Sequence, residues 1–171
     1  MPVIILAGVL LIAFLGFLFL GLQRSQQGPV RVGDPMPPVI LTTFDGQTID
    51  TSTQVGKVVI LNFWASWCAP CESESAALQA AWQHYQPGNQ VLFLGVDYVD
   101  TEPEALRSLN KFHITYPNGP DLGTRISQMF RIRGVPETYI IDRDGKLAYI
   151  QIGPFNSTAQ IESLIDPLLE K

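Results

Sequence analysis

Cysteine, histidine and positive charge are all scarce in this sequence, and each shortage excludes a class of function. The 171 residues include 2 cysteines and 2 histidines, and His84 and His113 lack the spacing of zinc-finger ligands. The formal net charge is −5, so the chain has neither the basic surface of a nucleic-acid-binding protein nor a polybasic membrane-binding patch. We therefore expect no metal ion and no nucleic-acid partner.

Charge is also missing from the first part of the chain. Residues 2–22 contain no charged side chain, and as a helix rising about 1.5 Å per residue this run spans roughly the 30 Å hydrocarbon core of a bilayer. The stretch that follows, GLQRSQQG, offers no small-x-small cleavage pattern and no lipid-acceptor cysteine. We predict an uncleaved membrane anchor over residues 1–23, in contact with the lipid bilayer through residues 2–22. A cleavable signal peptide is the alternative.

A short tether and one folded domain are predicted after the anchor. Residues 24–38 are polar and rich in glycine and proline, which is typical of a linker, and residues 39–171 have the length of one domain. Apolar runs alternate there with helical patterns, which indicates an α/β fold with a central sheet. The predicted elements are a front hairpin within residues 40–50, central strands Val58–Trp64 and Val91–Asp97, helices over Glu72–Tyr85 and Thr101–His113, a hairpin of Glu137–Asp142 and Lys146–Ile152, and a closing helix from about Ser157.

Both cysteines lie in the segment WASWCAPCESE, where an apolar strand gives way to a helix. Residues i and i+3 at a helix start are close enough for a disulfide, so Cys68 and Cys71 can be oxidised or reduced without refolding. The unpaired N–H groups and the dipole of the helix stabilise a thiolate there. We predict that Cys68, at the mouth of the helix, is the nucleophile, and that Cys71, one turn in and more shielded, resolves the mixed disulfide.

Three other interpretations of the cysteine pair compete with redox chemistry. A static structural disulfide would close only two intervening residues, which removes little chain entropy. Half of a zinc site would need two further ligands. Two ordinary buried residues would not explain the surrounding tryptophans, proline and acids. Redox exchange therefore accounts best for the pattern.

Two segments carry a family resemblance. LNFWASWCAPCESE resembles the active-site segment of the thioredoxin superfamily, specifically of its membrane-anchored TlpA/DsbE-like (CcmG/ResA-type) thiol:disulfide interchange proteins, and FRIRGVPETYIIDRDG resembles the cis-proline region of that family. The similarity extends from about Val32 to the C-terminus. It implies a thioredoxin-like fold, with a central mixed β-sheet flanked by helices and an extra N-terminal β-hairpin, behind an N-terminal transmembrane helix.

The resemblance also implies roles for individual residues. Cys68 matches the attacking thiol and Cys71 the resolving thiol, while Pro136 matches the cis-proline that faces them. A cis bond there exposes the backbone of Val135, which can pair with an extended substrate segment. Trp67 is expected to form part of the rim around the nucleophile, with simple packing as its alternative role.

Acidic residues are expected to manage protons at the site. Asn62 stands where thioredoxin usually has a buried aspartate, so another acid must take the proton, and Glu74 matches the family glutamate three residues after the second cysteine. Glu137, beside the cis-proline, is the second candidate. The alternative for each glutamate is a solvated surface carboxylate. Ala76 stands where relatives commonly have a helix-bending proline, so the sequence does not predict a bend of the helix at this position.

The direction of electron flow is predicted from charge. Ala69 and Pro70 supply no cation to stabilise a thiolate, and Glu72, Glu74 and Glu137 oppose one, so the dithiol should be a reductant. The resemblance implies reduction of disulfides in exported proteins, with the CxxCH haem-attachment site of apocytochrome c as a candidate substrate and a membrane-embedded dithiol as electron donor. No bound cofactor is expected.

The same resemblance implies a location for the protein, and several other functions compete with disulfide reduction. It implies a single-pass protein of the cell membrane whose redox domain faces the extracytoplasmic side, in the periplasm. Arg24 and Arg31 follow the apolar run, and the positive-inside rule alone would leave the domain in the cytoplasm. The alternative functions are a general extracytoplasmic thiol reductant, a thiol peroxidase, a copper-binding chaperone module and a redox-silent interaction domain.

Overall fold

The computed structural model describes residue 8, residues 10–18 and residues 30–170. Residues 10–18 are helical and their side chains are exposed. The remainder of the predicted anchor, and the tether up to residue 29, lie outside the described residues. Among the described residues, no helix combines the length and the apolarity needed to cross a membrane.

The described domain is built on a five-stranded mixed sheet with the strand order β5-β4-β3-β6-β7. The β3–β4 and β4–β5 pairs are parallel, whereas β3–β6 and β6–β7 are antiparallel. A separate two-stranded antiparallel sheet lies in front. The strands are β1 Ile40–Thr42, β2 Thr48–Asp50, β3 Val58–Trp64, β4 Val91–Asp97, β5 Asn118–Pro120, β6 Glu137–Ile141 and β7 Leu147–Ile152.

Four helices flank the sheet: α1 Ala69–Tyr85, α2 Glu102–Lys111, α3 Arg125–Phe130 and α4 Thr158–Leu169. Side-chain oxygen atoms cap the starts of α3 and α4. The Ser157 hydroxyl accepts a hydrogen bond from the Gln160 N–H at the start of α4, and the Asp121 carboxylate accepts from the N–H groups of Ile126 and Ser127 in α3. Such caps satisfy amide groups that have no partner inside the helix.

Alternation along the central strand divides the core between the two faces of the sheet. Val58 and Ile60 pack with α1 and α4 in one cluster, whereas Leu61 and Phe63 pack with the β1 segment and α3 in another. Successive residues of a strand point to opposite faces, and a strand covered on both faces is apolar throughout. Asn62 therefore points to the face that α1 covers, which matters for the site.

The predicted mixed sheet, the front hairpin, the β6–β7 hairpin and three of the helices are confirmed by this structure. The sequence did not predict β5 or α3. The α1 helix passes through Ala76 as one element from Ala69 to Tyr85.

The predicted boundary between tether and domain needs a correction. The Gly33 N–H donates to the Leu147 carbonyl, the Leu147 N–H donates to the Asp34 carbonyl, and Pro35 forms a β-bridge with Lys146. The ordered unit thus begins before Val39, because the last residues of the predicted 24–38 tether pair with the edge of β7. Composition alone did not reveal this, since glycine and proline are typical both of linkers and of irregular edge pairings.

Candidate active site

A disulfide between Cys68 and Cys71 lies where β3 ends and α1 begins. The S–S distance is 2.02 Å and the Cα atoms are 5.3 Å apart. Cys68 is the N-cap residue of α1, and the Cys71 N–H lies 3.1 Å from the Cys68 Sγ. Pro70 occupies the first turn, where a missing N–H costs nothing. In the reduced protein this N–H and the helix dipole would stabilise a Cys68 thiolate.

Both sulfur-bearing residues are nearly buried, with 4% of Cys68 and 6% of Cys71 exposed. Burial in the disulfide form does not distinguish the two residues, and the greater shielding of Cys71 stays a prediction. Residues of three neighbouring segments pack around the pair, among them Trp64, Ala105 and Val135.

Trp67 lies on the outer rim of the site. Its side chain is 59% exposed, and its Nε1–H donates a hydrogen bond of 3.1 Å to the Val99 carbonyl. An aromatic ring that is exposed beside a reactive sulfur offers an apolar surface to a bound segment. Packing alone would not leave so much of the ring exposed.

The loop before β6 brings a cis-proline to the cysteines. The Val135–Pro136 bond is cis, and Val135 packs against the cluster that contains Cys68 and Cys71. In the described part of the chain the Val135 N–H donates no hydrogen bond. A backbone donor without a partner beside a disulfide is suited to pairing with an extended peptide.

Glu74 is buried behind the disulfide, one helical turn after Cys71, and is only 1% exposed. Its Oε1 accepts a hydrogen bond of 2.9 Å from Asn62 Nδ2, which also donates to Thr138 Oγ1 at 2.9 Å. Its Oε2 accepts from the Phe155 N–H at 2.9 Å. Burial raises the pKa of Glu74 from 4.5 to about 7, and the two hydrogen bonds only partly oppose that rise. A solvated surface role for Glu74 is thereby excluded.

Glu137 is also buried, but both of its oxygens are occupied. Oε1 accepts from the Arg133 N–H at 2.7 Å and Oε2 accepts from the Tyr139 hydroxyl at 2.9 Å. The side chain thus lies behind the cis-proline and fixes the loop that precedes it. A buried carboxylate needs hydrogen-bond donors from the protein itself, and here those donors occupy both oxygens. Glu137 is therefore not accessible to a substrate in this form, contrary to the expectation that it contributes directly to substrate binding.

A small cavity of about 20 Å³ lies between α1 and α2 beside Cys71. Asn62, Ser75 and Tyr116 are among its lining residues. This volume is sufficient for about one water molecule. Glu72, on the same side, forms a salt bridge of 3.1 Å with Lys111 of α2, so its charge is partly compensated.

Sequence reasoning missed one acid, Asp97, at the carboxyl end of β4. It is 3% exposed, and burial together with the charge of Asp100 raises its pKa from 3.8 to about 7. The signal that could have found it is its position, since functional side chains collect beyond the carboxyl ends of parallel strands. Within the described part of the chain, no three acids, histidines or cysteines are grouped closely enough to hold a metal ion.

Comparisons with known proteins agree with this geometry. Residues 32–150 match the model of the AhpC/TSA family. The thiol-disulfide oxidoreductase ResA of a Bacillus cereus strain is 30% identical over 130 residues, which cover 75% of this chain and 74% of ResA. The thiol:disulfide interchange protein HelX of Rhodobacter capsulatus is 29% identical over 175 residues, which cover 99% of this chain and 93% of HelX.

A solved structure shows the same fold. The crystal structure of a thiol:disulfide interchange protein of the thioredoxin family from Chlorobium tepidum TLS superposes with a TM-score of 0.73 and 24% sequence identity. The superposition covers 83% of this chain and 99% of that one. The fold is thus thioredoxin-like, with a mixed sheet and flanking helices.

Proposed function

The chain belongs to the AhpC/TSA family and is a thioredoxin-like thiol:disulfide oxidoreductase, and we propose that it reduces disulfides of exported proteins by exchange at Cys68 and Cys71. The observation that carries this proposal is the Cys68–Cys71 disulfide at the start of α1, packed against the residue that precedes cis-Pro136. A candidate substrate is the haem-attachment site of apocytochrome c, as the resemblance implies.

The reaction is two successive exchanges. The Cys68 thiolate attacks one sulfur of the substrate disulfide, and the other substrate sulfur leaves as a thiolate. The Cys71 thiolate then attacks Cys68 Sγ and releases the first substrate sulfur. Two electrons pass to the substrate, and the Cys68–Cys71 disulfide remains until a dithiol donor in the membrane reduces it. The N–H groups at the start of α1 stabilise the attacking thiolate.

Glu74 is proposed as the proton acceptor for Cys71. The Cys71 thiol must lose its proton before it can attack, and an acid or base works best when its pKa is near the operating pH. Glu74 lies three residues after Cys71 on the same helix, so the two side chains share a face, and its pKa of about 7 suits the task.

Substrate recognition is proposed to use backbone and apolar contacts. An extended segment would pair with the Val135 N–H and lie against the exposed Trp67 ring. Backbone pairing tolerates many substrate sequences, and selectivity comes from the substrate side chains that enter pockets beside the paired segment. Glu137 would contribute indirectly, by holding the loop that carries Val135.

Anchoring and location remain part of the proposal. We place residues 1–23 in the cell membrane as an uncleaved single span, with the redox domain on the extracytoplasmic side. The uncharged run of residues 2–22 supports this, and the alignment with HelX covers 99% of the chain and so includes that run.

The reduction potential of the cysteine pair tests the direction of electron flow. No cation lies between the cysteines, and the nearby Glu74 disfavours a thiolate, so the disulfide should be stable. Titration of the full chain against a defined thiol buffer should give a potential near or below about −270 mV, the value of thioredoxin. A potential toward about −120 mV would mean an oxidant, and the proposed reduction of exported proteins would be wrong.

Trapping tests the assignment of the two thiols. The variant Cys71→Ser should carry out the first exchange and stop, so that a peptide containing a CxxCH disulfide accumulates as a covalent adduct of Cys68, measured by intact-mass spectrometry. Cys68→Ser is the matched control and should form no such adduct. An adduct that forms on Cys71 instead would reverse the two roles.

A further inference from the structure

Two buried side-chain atoms without hydrogen-bond partners meet over Gly95 in strand β4. In the part of the chain that the structure describes, Trp64 Nε1 has no acceptor and Asn118 Oδ1 has no donor. A Cβ atom added at Gly95 would lie 1.6 Å from Asn118 Oδ1 and 3.0 Å from Trp64 Nε1. Both atoms therefore border the space that a side chain at position 95 would fill.

The sheet brings these side chains to one face. Gly95 of β4 lies opposite Asn118 of β5 and Asn62 of β3, and Trp64 follows Asn62 by two residues. Register partners on neighbouring strands point to the same face, as do residues two apart along one strand. Trp64 and Asn118 thus share with Asn62 the face that α1 covers.

The two unpartnered atoms are complementary in their chemistry. An indole N–H can only donate a hydrogen bond, and an amide oxygen can only accept one. Trp64 is 7% exposed and Asn118 is 5% exposed, and a buried polar atom without a partner is costly. Asn118 Nδ2 already donates to the Tyr116 carbonyl at 2.8 Å, which holds the amide group so that its oxygen lies over Gly95.

We propose that Asn118 is a positioning residue whose amide oxygen accepts a hydrogen bond from the Trp64 indole N–H and so holds that ring against the disulfide. Trp64 packs in one cluster with Cys68 and Cys71. Because Asn118 is held in place, a small movement of the indole ring closes the bond. The bond itself does not depend on the proposed function, but its importance for disulfide exchange does.

Asp97 Oδ1 is the competing acceptor for the indole N–H. It is also buried without a partner among the described residues, and Asp97 lies in register with Trp64. Asn118 is favoured because its oxygen and the indole nitrogen approach the same point beside Gly95, whereas Asp97 lies two residues farther along β4.

The indole N–H resonances test the proposal in the isotope-labelled full chain, kept in the disulfide form. The chain has 3 tryptophans, so Trp64→Phe assigns the Trp64 signal by its loss. In Asn118→Leu, which removes the acceptor at similar size, we expect that signal to shift upfield and its hydrogen exchange with solvent to become faster. Asn118→Asp is the matched control. It also loses the amide donor to Tyr116 but keeps an acceptor oxygen, so the Trp64 signal should stay close to that of the wild type.

Three results would overturn the proposal. The first is an unchanged Trp64 signal in Asn118→Leu, and the second is an equal change in Asn118→Asp. The third is a shift in Asp97→Leu that is absent from Asn118→Leu, which would make Asp97 the acceptor. If Asn118→Leu does not fold, Gly95→Ala takes its place, because the added Cβ would displace the Asn118 oxygen, and the Trp64 signal should move in the same direction.

Reduction of the disulfide by dithiothreitol measures the effect of Asn118 on the site. Cys68 and Cys71 are 4% and 6% exposed, and Trp64 is one of the residues packed around them. Asn118→Leu should therefore be reduced faster than the wild type, and Asn118→Asp at the wild-type rate. Equal rates for all three proteins would mean that Asn118 does not position the ring. A chain that meets both expectations but reduces no disulfide in a CxxCH peptide would instead refute the proposed function alone.

Discussion

Glu74 shows how the state of one buried residue follows from its neighbours. A buried carboxyl group is tolerated only if it keeps its proton or if its charge is stabilised. Glu74 has both a raised pKa and two hydrogen-bond donors. Asn62 provides one of those donors and uses its second N–H for Thr138. The acid is thus held in place whether or not it is charged.

Replacing Glu74 should change how stability depends on pH. Its pKa of about 7 lies above the ordinary 4.5, so the folded chain holds this proton more tightly than the unfolded chain. The free energy of unfolding therefore falls as pH rises from about 4.5 to about 7, by at most roughly 3 kcal/mol, and is level beyond. Glu74→Gln should lose this part of the slope, as measured by thermal unfolding at about pH 5 and about pH 8.

The slope should not vanish completely in that variant. Asp97 has a raised pKa of the same sign and continues to contribute. Glu170→Gln, at an exposed position, is the matched control and should behave as the wild type. If Glu74→Gln kept the full wild-type slope, Glu74 would not hold its proton in the folded chain.

At the residue scale, the site was predicted from the segment WASWCAPCESE, which contains both cysteines. Cys68 and Cys71 could be predicted because the chain has only 2 cysteines and their spacing is constrained, whereas Pro136 was predicted from the family resemblance. Asp97 could not, because an aspartate at the end of an apolar strand is common and its burial depends on segments that lie elsewhere in the chain, such as the end of β3 beside it. The occupied oxygens of Glu137 likewise depend on Arg133 and Tyr139 in the folded loop.

Strand β4 has neighbours packed closely against its backbone at Gly95. A Cβ added at Gly95 would overlap the Asn118 side chain of β5 and approach Trp64 Nε1 to 3.0 Å. Asn118 is itself buried and donates to the Tyr116 carbonyl at 2.8 Å, so it cannot easily move aside. The short strand β5 is therefore held against β4 by shape as well as by backbone pairing.

Gly95→Ala should consequently destabilise the domain. Overpacking in a tightly packed interior costs typically about 1–3 kcal/mol, and we expect a loss in that range by thermal unfolding. Gly88→Ala is the matched control, because nothing lies within 4 Å of a Cβ added there and its backbone is not in the left-handed region. Equal stability of the two variants would contradict the tight packing of β4 against Asn118.

Strands and helices with long sequence patterns were predicted correctly. Short elements whose formation depends on tertiary contacts were not predicted. Strands β3 and β4 and helix α1 have extended apolar or helical patterns. Strand β5 has three residues, including a glycine and a proline, and exists because β4 offers it a parallel edge. Helix α3 has six residues and depends on the Asp121 carboxylate for its first N–H groups.

For the molecule as a whole, the proposed membrane anchor and the side of the membrane that the domain faces can be tested together. The positive charges after the apolar run favour the cytoplasm, whereas the resemblance favours the outside. Alkaline phosphatase, which needs disulfides that form only in oxidising compartments, distinguishes the two when fused after Lys171. We expect an active fusion, and an inactive one when residues 1–23 are deleted. An inactive full-length fusion would place the domain in the cytoplasm.

The whole fold was predictable at the level of architecture, since the alternation of strands and helices and the two family segments imply it. The start of the domain was not, because the pairing of Gly33 and Asp34 with Leu147 depends on an edge that exists only after folding. Burial at the site was also beyond the sequence, which left a solvated surface position open as the alternative for both glutamates.

Reduction of a disulfide to two thiols takes up two protons along with two electrons. The structure places two carboxyl groups with pKa values of about 7 near the end of β3 where the disulfide lies, Glu74 and Asp97. At neutral pH each is partly protonated, so together they hold about one proton, roughly half of what the reduction of one disulfide takes up. The solvent or the reaction partner must therefore supply the remaining proton each time a disulfide is reduced.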